Sequence, residues 1–364
     1  MRVLYFTERD TPHDRRFLTA LAGTDHQVFA LRMKDCEPLT PKGVTECEWP
    51  EGVPDLSNWA GWQAGAAQLK KLLAGLKPDL VHAGPVQGPA LLTALAGFHP
   101  LVTMSWGSDL LRTAQRSPWM RSATQYALDR SNVFLGDCRT VADAAAGFGF
   151  PREKMVLFPW GVDLQVFSPE NKFEEGGALR EKLGWEENFV VLCNRSWAPL
   201  YGVDLLARAF VAAVQQEPRL RLLLVGDGPQ AGLIHQILDP LGDLVHFAGR
   251  ISQEELPACY HAADLFISPS HSDGSSISLL EAMACGRPVL VSDIPSNREW
   301  VTAGQNGQLF SDGSEVDLTS KMVALARDPL LDELGQKARI VALEQADWRR
   351  NFKECLRAYQ LAAG

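Results

Sequence analysis

The feature that most constrains the fold is a short apolar run followed at once by a polar turn and a helix-forming stretch, over residues 263–288. The run Ala-Asp-Leu-Phe-Ile at residues 263–267 suits a strand that is buried on both faces, as in a parallel sheet. Ser278 precedes Glu281 by three residues, which is the spacing of a capping box, and Gly286 predicts the helix end. The stretch therefore predicts a strand–loop–helix unit whose helix N-terminus opens at the carboxyl edge of a sheet.

Such a helix N-terminus carries unpaired backbone N–H groups, and these favour an anion such as phosphate. Asp273 and Glu281 frame the turn. Because carboxylates are poor phosphate ligands, we expect these two to accept hydrogen bonds from ligand hydroxyls, as a ribose or a hexose offers. The alternative from the local pattern is that Glu281 only completes the capping box and that Asp273 is an ordinary turn residue.

A longer pattern favours the first interpretation. Residues 269–289 resemble the signature of the family-4 retaining glycosyltransferases of the GT-B fold, in which an acidic residue, seven others and a Glu precede Ala-Met-Ala-Cys-Gly-x-Pro-Val. Asp273 replaces the usual first Glu, and Ser275-Ser276-Ile277 replaces a common Phe-Gly pair. The resemblance covers residues 185–330 strongly and the N-terminal half weakly. It implies a GT-B fold, with two doubly wound Rossmann-like domains that face an interdomain cleft.

Apolar runs that suit strands alternate with helix-forming stretches along the chain, which independently predicts α/β architecture with mostly parallel sheets. A length of 364 residues favours two domains. The polar, glycine-containing stretch 171–177 is the predicted linker, and the first helix is predicted to start near Phe17. The expected division is an N-terminal acceptor-side domain over 1–170, a nucleotide-sugar-binding domain over 171–345, and a C-terminal helix over 346–364 that crosses back to the first domain.

The resemblance implies a donor site in the second domain. Arg195 follows the first strand there, at the position where the family carries a phosphate-clamping arginine. The family usually adds a lysine that aligns with Tyr201, and tyrosine brings a hydroxyl but no charge. A second cation is then expected from Arg15, Arg16 or Arg250, or the leaving group is stabilised less strongly. The other expected donor contacts are Gly274, Ser275, Ser276, Ile277, Leu280, Arg250 and Ile251 in the second domain and Gly107 in the first.

The first domain is expected to hold the acceptor and part of the sugar. Its candidate residues are His13, Arg15, Arg16, Trp106 and Asp109, the last in a catalytic role beside Arg195, Tyr201, Asp273 and Glu281. Trp106 stands where the family often has a histidine. His13 and Asp109 are equally well read as surface residues, and His82, which also aligns with a family histidine, suits the core.

Composition excludes several partners. A net charge of −9 disfavours nucleic acid, which needs a basic field. Seven scattered cysteines without a CxxC pair predict reduced thiols and no metal site. The absence of a long apolar run or a signal peptide predicts a cytoplasmic protein without a transmembrane segment. Trp59, Trp62 and Trp119 are expected in core packing, or alternatively on a surface that faces the acceptor or a membrane with weak peripheral contact.

The sequence therefore predicts a metal-independent, retaining glycosyltransferase. It would move a sugar from a nucleoside-diphosphate sugar, its co-substrate, to a hydroxyl acceptor on a glycan, a lipid or a small molecule, with no further cofactor. Two alternatives stay open: a nucleotide-sugar-binding subunit that has lost catalysis, and a nucleotide-sugar epimerase or hydrolase.

Overall fold

The chain forms two compact units, each built on its own parallel sheet. A computed structural model describes residues 1–171 and 173–364. The first unit is Met1–Phe158 with Phe352–Gly364, and the second is Pro159–Asn351. Within the described residues, no helix is both long and apolar enough to cross a membrane.

The first unit contains a seven-stranded parallel sheet with the strand order β3-β2-β1-β4-β5-β6-β7. The strands are β1 (Arg2–Thr7), β2 (Gln27–Arg32), β3 (Val44–Glu46), β4 (Leu80–Ala83), β5 (Leu101–Met104), β6 (Val133–Gly136) and β7 (Met155–Leu157). Its helices are α1 (Pro12–Ala22), α2 (Trp59–Leu76), α3 (Leu91–Ala96), α4 (Ser108–Leu111), α5 (Pro118–Asp129) and α6 (Arg139–Gly147). The central strands are buried along their whole length, as parallel strands covered by helices require.

The second unit repeats this plan with six parallel strands in the order β10-β9-β8-β11-β12-β13. The strands are β8 (Phe189–Cys193), β9 (Leu220–Val225), β10 (Val245–Gly249), β11 (Leu265–Ser268), β12 (Val289–Ser292) and β13 (Gln308–Phe310). The helices are α7 (Phe173–Leu183), α8 (Val203–Val214), α9 (Ala231–Leu238), α10 (Leu256–Ala262), α11 (Ile277–Ala284), α12 (Glu315–Leu325) and α13 (Leu331–Gln345). A last helix, α14 (Trp348–Ala363), begins in this unit, and its residues from Phe352 onward belong to the first.

Both sheets have a point where the winding direction of the chain reverses. It lies between β1 and β4 in the first sheet and between β8 and β11 in the second. At such a point the two loops that leave the carboxyl ends of the strands run in opposite directions and leave a crevice, which is where ligands of open parallel sheets bind. The predicted doubly wound α/β architecture is thus confirmed, and the topology marks one candidate site in each unit.

The unit boundary differs from the predicted one. The division follows Phe158 rather than residue 170, because the backbone of Val162 pairs with the second unit: its N–H donates to the Ala346 carbonyl (2.8 Å) and its carbonyl accepts from the Trp348 N–H (3.1 Å). The predicted linker over 171–177 runs into α7 instead, apart from Lys172, which lies outside the described residues.

The first helix also begins earlier than predicted, at Pro12. Thr11 and Asp14 form a capping box: the Asp14 N–H donates to the Thr11 hydroxyl (3.2 Å), and the Thr11 N–H donates to the Asp14 carboxylate (3.0 Å). His13, Arg15 and Arg16 therefore lie on a helix rather than in a loop. His82 is a core residue, fully buried, with its Nδ1 2.7 Å from the hydroxyl of Tyr359.

Close packing in the second unit yields a stability prediction. A Cβ added at Gly335 in α13 would lie 2.3 Å from the Gly286 carbonyl oxygen and 2.9 Å from Pro288 Cδ, while one at Gly177 in α7 meets nothing within 4 Å. Gly335→Ala is expected to lower the free energy of unfolding by about 1–3 kcal/mol. Gly177→Ala is the control and is expected to be neutral or stabilising by up to about 1 kcal/mol. Denaturant unfolding measures both, and equal effects would contradict the packing described here.

Candidate functional site

In the second unit, Arg195 joins the two loops that flank the reversal point of the sheet. It follows β8, and its guanidinium reaches three residues that follow β11. Nη1 donates to the hydroxyls of Ser276 (2.9 Å) and Ser278 (2.8 Å), and Nη2 pairs with the Asp273 carboxylate (2.5 Å). Burial raises the pKa of Asp273, and the charge of Arg195 works against that rise. The structure thus holds one arginine in a fixed, largely buried position at the sheet edge where ligands bind.

The helix that follows this loop begins differently from the prediction. Helix α11 starts at Ile277 after Ser276, and no side chain caps it. The predicted capping box of Ser278 and Glu281 is wrong, because the Ser278 hydroxyl accepts a hydrogen bond from Arg195 and the Glu281 carboxylate accepts one from Tyr260. The first N–H groups of an uncapped helix have no partner within the helix. This N-terminus therefore presents backbone donors beside the guanidinium.

Glu281 is held by a buried network that the sequence did not indicate. The side chain is 4% exposed, and the hydroxyl of Tyr260 donates to its Oε2 (2.7 Å). The same hydroxyl accepts a hydrogen bond from the Asn194 amide (2.8 Å). Burial, reinforced by the neighbouring carboxylate, raises the pKa of Tyr260 well above its ordinary value, so the phenol stays a donor. Tyr260 and Asn194 thereby fix the second of the two predicted acids.

Tyr201 faces the guanidinium instead of supplying a second charge. The Arg195 Cζ lies 4.5 Å from the centre of the Tyr201 ring, a cation–π contact. The next residue, Gly202, has φ of +61°, and a Cβ there would lie 2.2 Å from the Pro269 carbonyl oxygen. Only glycine therefore allows the chain to pass this close to the loop after β11, and this approach brings the Tyr201 ring to Arg195.

The remaining predicted donor residues of this unit lie around the same sheet edge. The Gly274 N–H donates to the Asp273 carboxylate (3.0 Å), and the Ser275 hydroxyl accepts from the Trp300 indole (3.3 Å). Leu280 is fully buried in the core of this unit. Ile277 and Ile251 are partly buried and pack against that core. Arg250 is the exception: it is 79% exposed, and its nearest carboxylate is Asp227 at 3.9 Å.

In the first unit, a cavity of about 380 Å³ lies at the reversal point of the sheet. It is bounded by residues at or just after the carboxyl ends of β1, β4 and β5, including Thr7, Pro85 and Trp106. Asp109 lines it but is 5% exposed, so it is not a surface residue. Its carboxylate accepts from the Ser105 hydroxyl (2.6 Å) and from the N–H groups of Trp106 (3.0 Å) and Val86 (2.9 Å). Asp109 therefore ties two cavity loops together.

The expected donor contact Gly107 and the other acceptor-side candidates are spread over this region. Gly107 adopts φ of +82°, and its N–H donates to the Ser105 hydroxyl (3.1 Å). The rings of His13 and Trp106 lie 6.1 Å apart, edge to face. Arg15 pairs with Asp10 (2.7 Å), and Arg16 lies on the same helix. Across the described residues of both units, no three His, Cys, Asp or Glu side chains cluster closely enough to hold a metal ion.

Comparison with known proteins agrees with this arrangement. Residues 187–328 match the family described as Glycosyl transferases group 1, and residues 2–137 match the family described as Glycosyl transferase 4-like. The crystal structure of HepE from Anabaena, solved in complex with UDP, superposes with a TM-score of 0.80 at 20% identity, over 99% of this chain and 100% of HepE. The fold is therefore GT-B, and each unit matches a family of glycosyltransferases.

Two relatives extend the comparison. The chain is 29% identical to the GDP-mannose-dependent alpha-(1-6)-phosphatidylinositol monomannoside mannosyltransferase of Mycolicibacterium smegmatis, over 78% of this chain and 77% of that protein. It is 30% identical to the D-inositol 3-phosphate glycosyltransferase of Kribbella flavida, over 59% of this chain and 53% of that protein. The chain thus spans only about half the length of the second relative.

The network around Glu281 yields a second stability prediction. Tyr260→Phe removes the hydroxyl that donates to a nearly buried carboxylate, so we expect the free energy of unfolding to fall by about 1–3 kcal/mol. Tyr126→Phe is the matched control, because the Tyr126 hydroxyl makes no hydrogen bond to any described residue; its effect should be within about 0.5 kcal/mol. Denaturant unfolding measures both. An unchanged stability in Tyr260→Phe would contradict the assignment of this hydroxyl to Glu281.

Proposed function

We propose that this protein is a family-4 retaining glycosyltransferase that transfers a sugar from a nucleoside-diphosphate sugar to a hydroxyl acceptor without a metal ion. The observation that carries the proposal is the position of Arg195, fixed by Asp273, Ser276 and Ser278 beside the N-terminus of α11. A guanidinium and a row of backbone N–H groups are a suitable combination for a diphosphate.

In the proposed reaction, the bond between the anomeric carbon and the diphosphate oxygen breaks, and its electrons stay on that oxygen. Charge that develops there is stabilised by Arg195 and the α11 N-terminus, which are already in position before the reaction. The acceptor oxygen bonds to the anomeric carbon from the face that the diphosphate leaves, and its proton goes to the departing phosphate oxygen. No protein nucleophile is needed, and the configuration is retained.

The two acids have binding roles in this scheme. Asp273 orients sugar hydroxyls, and Glu281 binds the ribose. The hydrogen bond from Tyr260 holds Glu281 in position. Because Asp273 pairs with Arg195, the donor diphosphate has to share or displace that ion pair. When the diphosphate binds the Arg195 guanidinium, the Asp273 carboxylate can accept hydrogen bonds from the sugar. Binding of the diphosphate and orientation of the sugar are then linked.

Tyr201 supports a second candidate, a binding subunit that has lost catalysis. Where a lysine would add positive charge, the Tyr201 ring covers Arg195. The ring still restricts the guanidinium, since a cation over an aromatic face is attracted to it. We favour an active enzyme, because two hydroxyls and a carboxylate still fix the orientation of the Arg195 guanidinium.

The acceptor is proposed to bind in the cavity of about 380 Å³ in the first unit. Its walls combine apolar side chains such as Trp106 with hydroxyls such as Thr7 and Thr11, a mixture typical of ligand pockets. Asp109 is then a positioning residue, because its carboxylate is occupied by two cavity loops.

A thermal-shift screen of UDP, GDP, ADP and their hexose derivatives tests the donor class directly. A ligand that binds only the folded protein at 100 times its Kd adds about 2.7 kcal/mol of stability, so we expect a melting temperature higher by about 5 °C for the matching base. The HepE complex with UDP and the GDP-mannose-dependent relative favour UDP and GDP as the first compounds. No shift with any of these compounds would contradict a nucleotide-sugar donor.

Arg195→Ala tests the role of the guanidinium. Because Arg195 is proposed to stabilise charge that grows as the diphosphate leaves, we expect kcat for release of nucleoside diphosphate from the donor to fall by about 100- to 1000-fold. The donor Kd should rise less than about tenfold. Arg208→Ala is the control, because Arg208 makes its ion pairs with Asp204 and Glu315, outside this cluster.

Tight donor binding by the wild-type protein with no transfer, and no rate loss in Arg195→Ala, would favour the non-catalytic binding subunit. Release of nucleoside diphosphate that never depends on a hydroxyl acceptor would instead favour a hydrolase.

A further inference from the structure

The first unit carries a second cavity, adjacent to the first and lined by three tryptophans. Its volume is about 420 Å³, and its walls include Trp59, Trp62 and Trp119 together with Ser57 and Asn58. Gln87 and Met120 line both this cavity and the neighbouring one of about 380 Å³. The two spaces are therefore consecutive along the ligand-binding edge of the same sheet.

Trp59 and Trp119 are far more exposed than tryptophans of a core. They are 49% and 47% exposed, and their rings meet edge to face with centroids 5.6 Å apart. Each lies in the first turn of a helix that a side chain caps: Asn58 accepts from the Gly61 N–H (3.0 Å), and Ser117 accepts from the Met120 N–H (3.1 Å). The caps fix the helix starts that carry both rings, and the rings form an apolar corner open to solvent.

The wall opposite the rings is also fixed. A Cβ at Gly61 would lie 1.8 Å from the Asp55 carbonyl oxygen, and one at Gly65 would lie 3.1 Å from Leu56 Cδ2, so the loop before α2 packs directly on that helix. The Asp55 carboxylate accepts from the Ser57 N–H (3.0 Å) and from its hydroxyl (3.1 Å). Direct packing and hydrogen bonds thus hold the loop and the helix that form this wall.

The lining chemistry selects the kind of ligand. None of the residues that line this cavity carries a charge. Aromatic faces are available to the C–H face of a pyranose ring. Beside their present partners, the Ser57 hydroxyl oxygen, the second amide proton of Asn58 and the Gln87 Oε1 can bond to its hydroxyl groups. The Gln87 amide is already oriented, because its Nε2 donates to the Asp109 carbonyl (3.0 Å) and the Thr124 hydroxyl (2.7 Å). Apolar walls with a few placed polar groups are typical of small-molecule sites.

We infer that the Trp59–Trp119 cavity is a subsite for a neutral sugar ring of the acceptor, one unit away from the hydroxyl that receives the transferred sugar. The inference rests on the proposed function, since it takes the neighbouring cavity as the place of the reacting hydroxyl. It narrows the acceptor class to molecules that carry at least one sugar unit before the reacting hydroxyl. An anionic membrane surface is the competing partner, and it would need basic residues that this cavity lacks.

Sugar binding is tested with wild-type protein and the double variant Trp59→Ala/Trp119→Ala. The probes are methyl α-D-glucopyranoside, methyl α-D-mannopyranoside and the corresponding α-linked disaccharide glycosides, followed by saturation-transfer NMR. We expect transfer to the ring C–H protons, with a Kd about tenfold higher in the double Ala variant. Trp59→Phe/Trp119→Phe, which keeps aromatic faces, should retain binding. Phe173→Ala, an exposed aromatic residue of the second unit, is the control.

Three results would overturn the inference. The first is no NMR saturation transfer to any probe, and the second is equal sugar affinity in the double Ala variant. The third is that the wild-type protein co-sediments with phosphatidylglycerol vesicles and only the tryptophan variants do not. Circular dichroism establishes that the variants are folded. The thermal shift with nucleotides distinguishes failure of this inference from failure of the proposed function. A variant that loses sugar binding but keeps its nucleotide shift supports the subsite, whereas a wild-type protein without a nucleotide shift contradicts the function itself.

Discussion

The ion pair between Arg195 and Asp273 is the interaction on which the proposed donor site depends. It bridges the loops after β8 and β11, which leave the sheet in opposite directions at the reversal point. The two serines and the Tyr201 ring restrict the guanidinium further. A buried arginine with a single carboxylate partner is costly to leave unpaired, so an anion that replaces that carboxylate finds the charge already desolvated and oriented.

In the first unit, a different interaction connects the loops at the reversal point of the sheet. At the reversal point between β1 and β4, a buried carboxylate, Asp109, gathers N–H and hydroxyl donors from two loops, and the cavity beside it is also lined by Glu8, Arg9 and Asp14. The two units thus share a sheet plan but differ in the charge at the carboxyl edge. The guanidinium of Arg195 suits a diphosphate, whereas the hydroxyls and carboxylates that line the first cavity suit a hydroxyl-bearing acceptor.

The sequence predicted the sheets well because parallel strands are buried on both faces, and runs such as Val3–Phe6 are apolar throughout. It missed β3 and β13, most of whose residues are partly covered or exposed, and the start of α1, where Asp14 rather than glutamate closes the capping box. Arg195, Asp273 and Ser276 were predicted to lie in one site, and the structure brings them together. Tyr260 could not be predicted, because its contact with Glu281 depends on how α10 packs and has no local pattern. The capping box at Ser278 failed for the same reason: a distant guanidinium competes for that hydroxyl.

The most direct measurement is a crystal structure of the protein with the nucleoside diphosphate that gives the largest thermal shift. The account predicts the diphosphate at the N-terminus of α11, with a phosphate oxygen about 3 Å from a nitrogen of Arg195 and the ribose at Glu281. Nucleotide density away from this edge, or a bound nucleotide whose phosphates do not contact Arg195 and whose ribose lies far from Glu281, would contradict it.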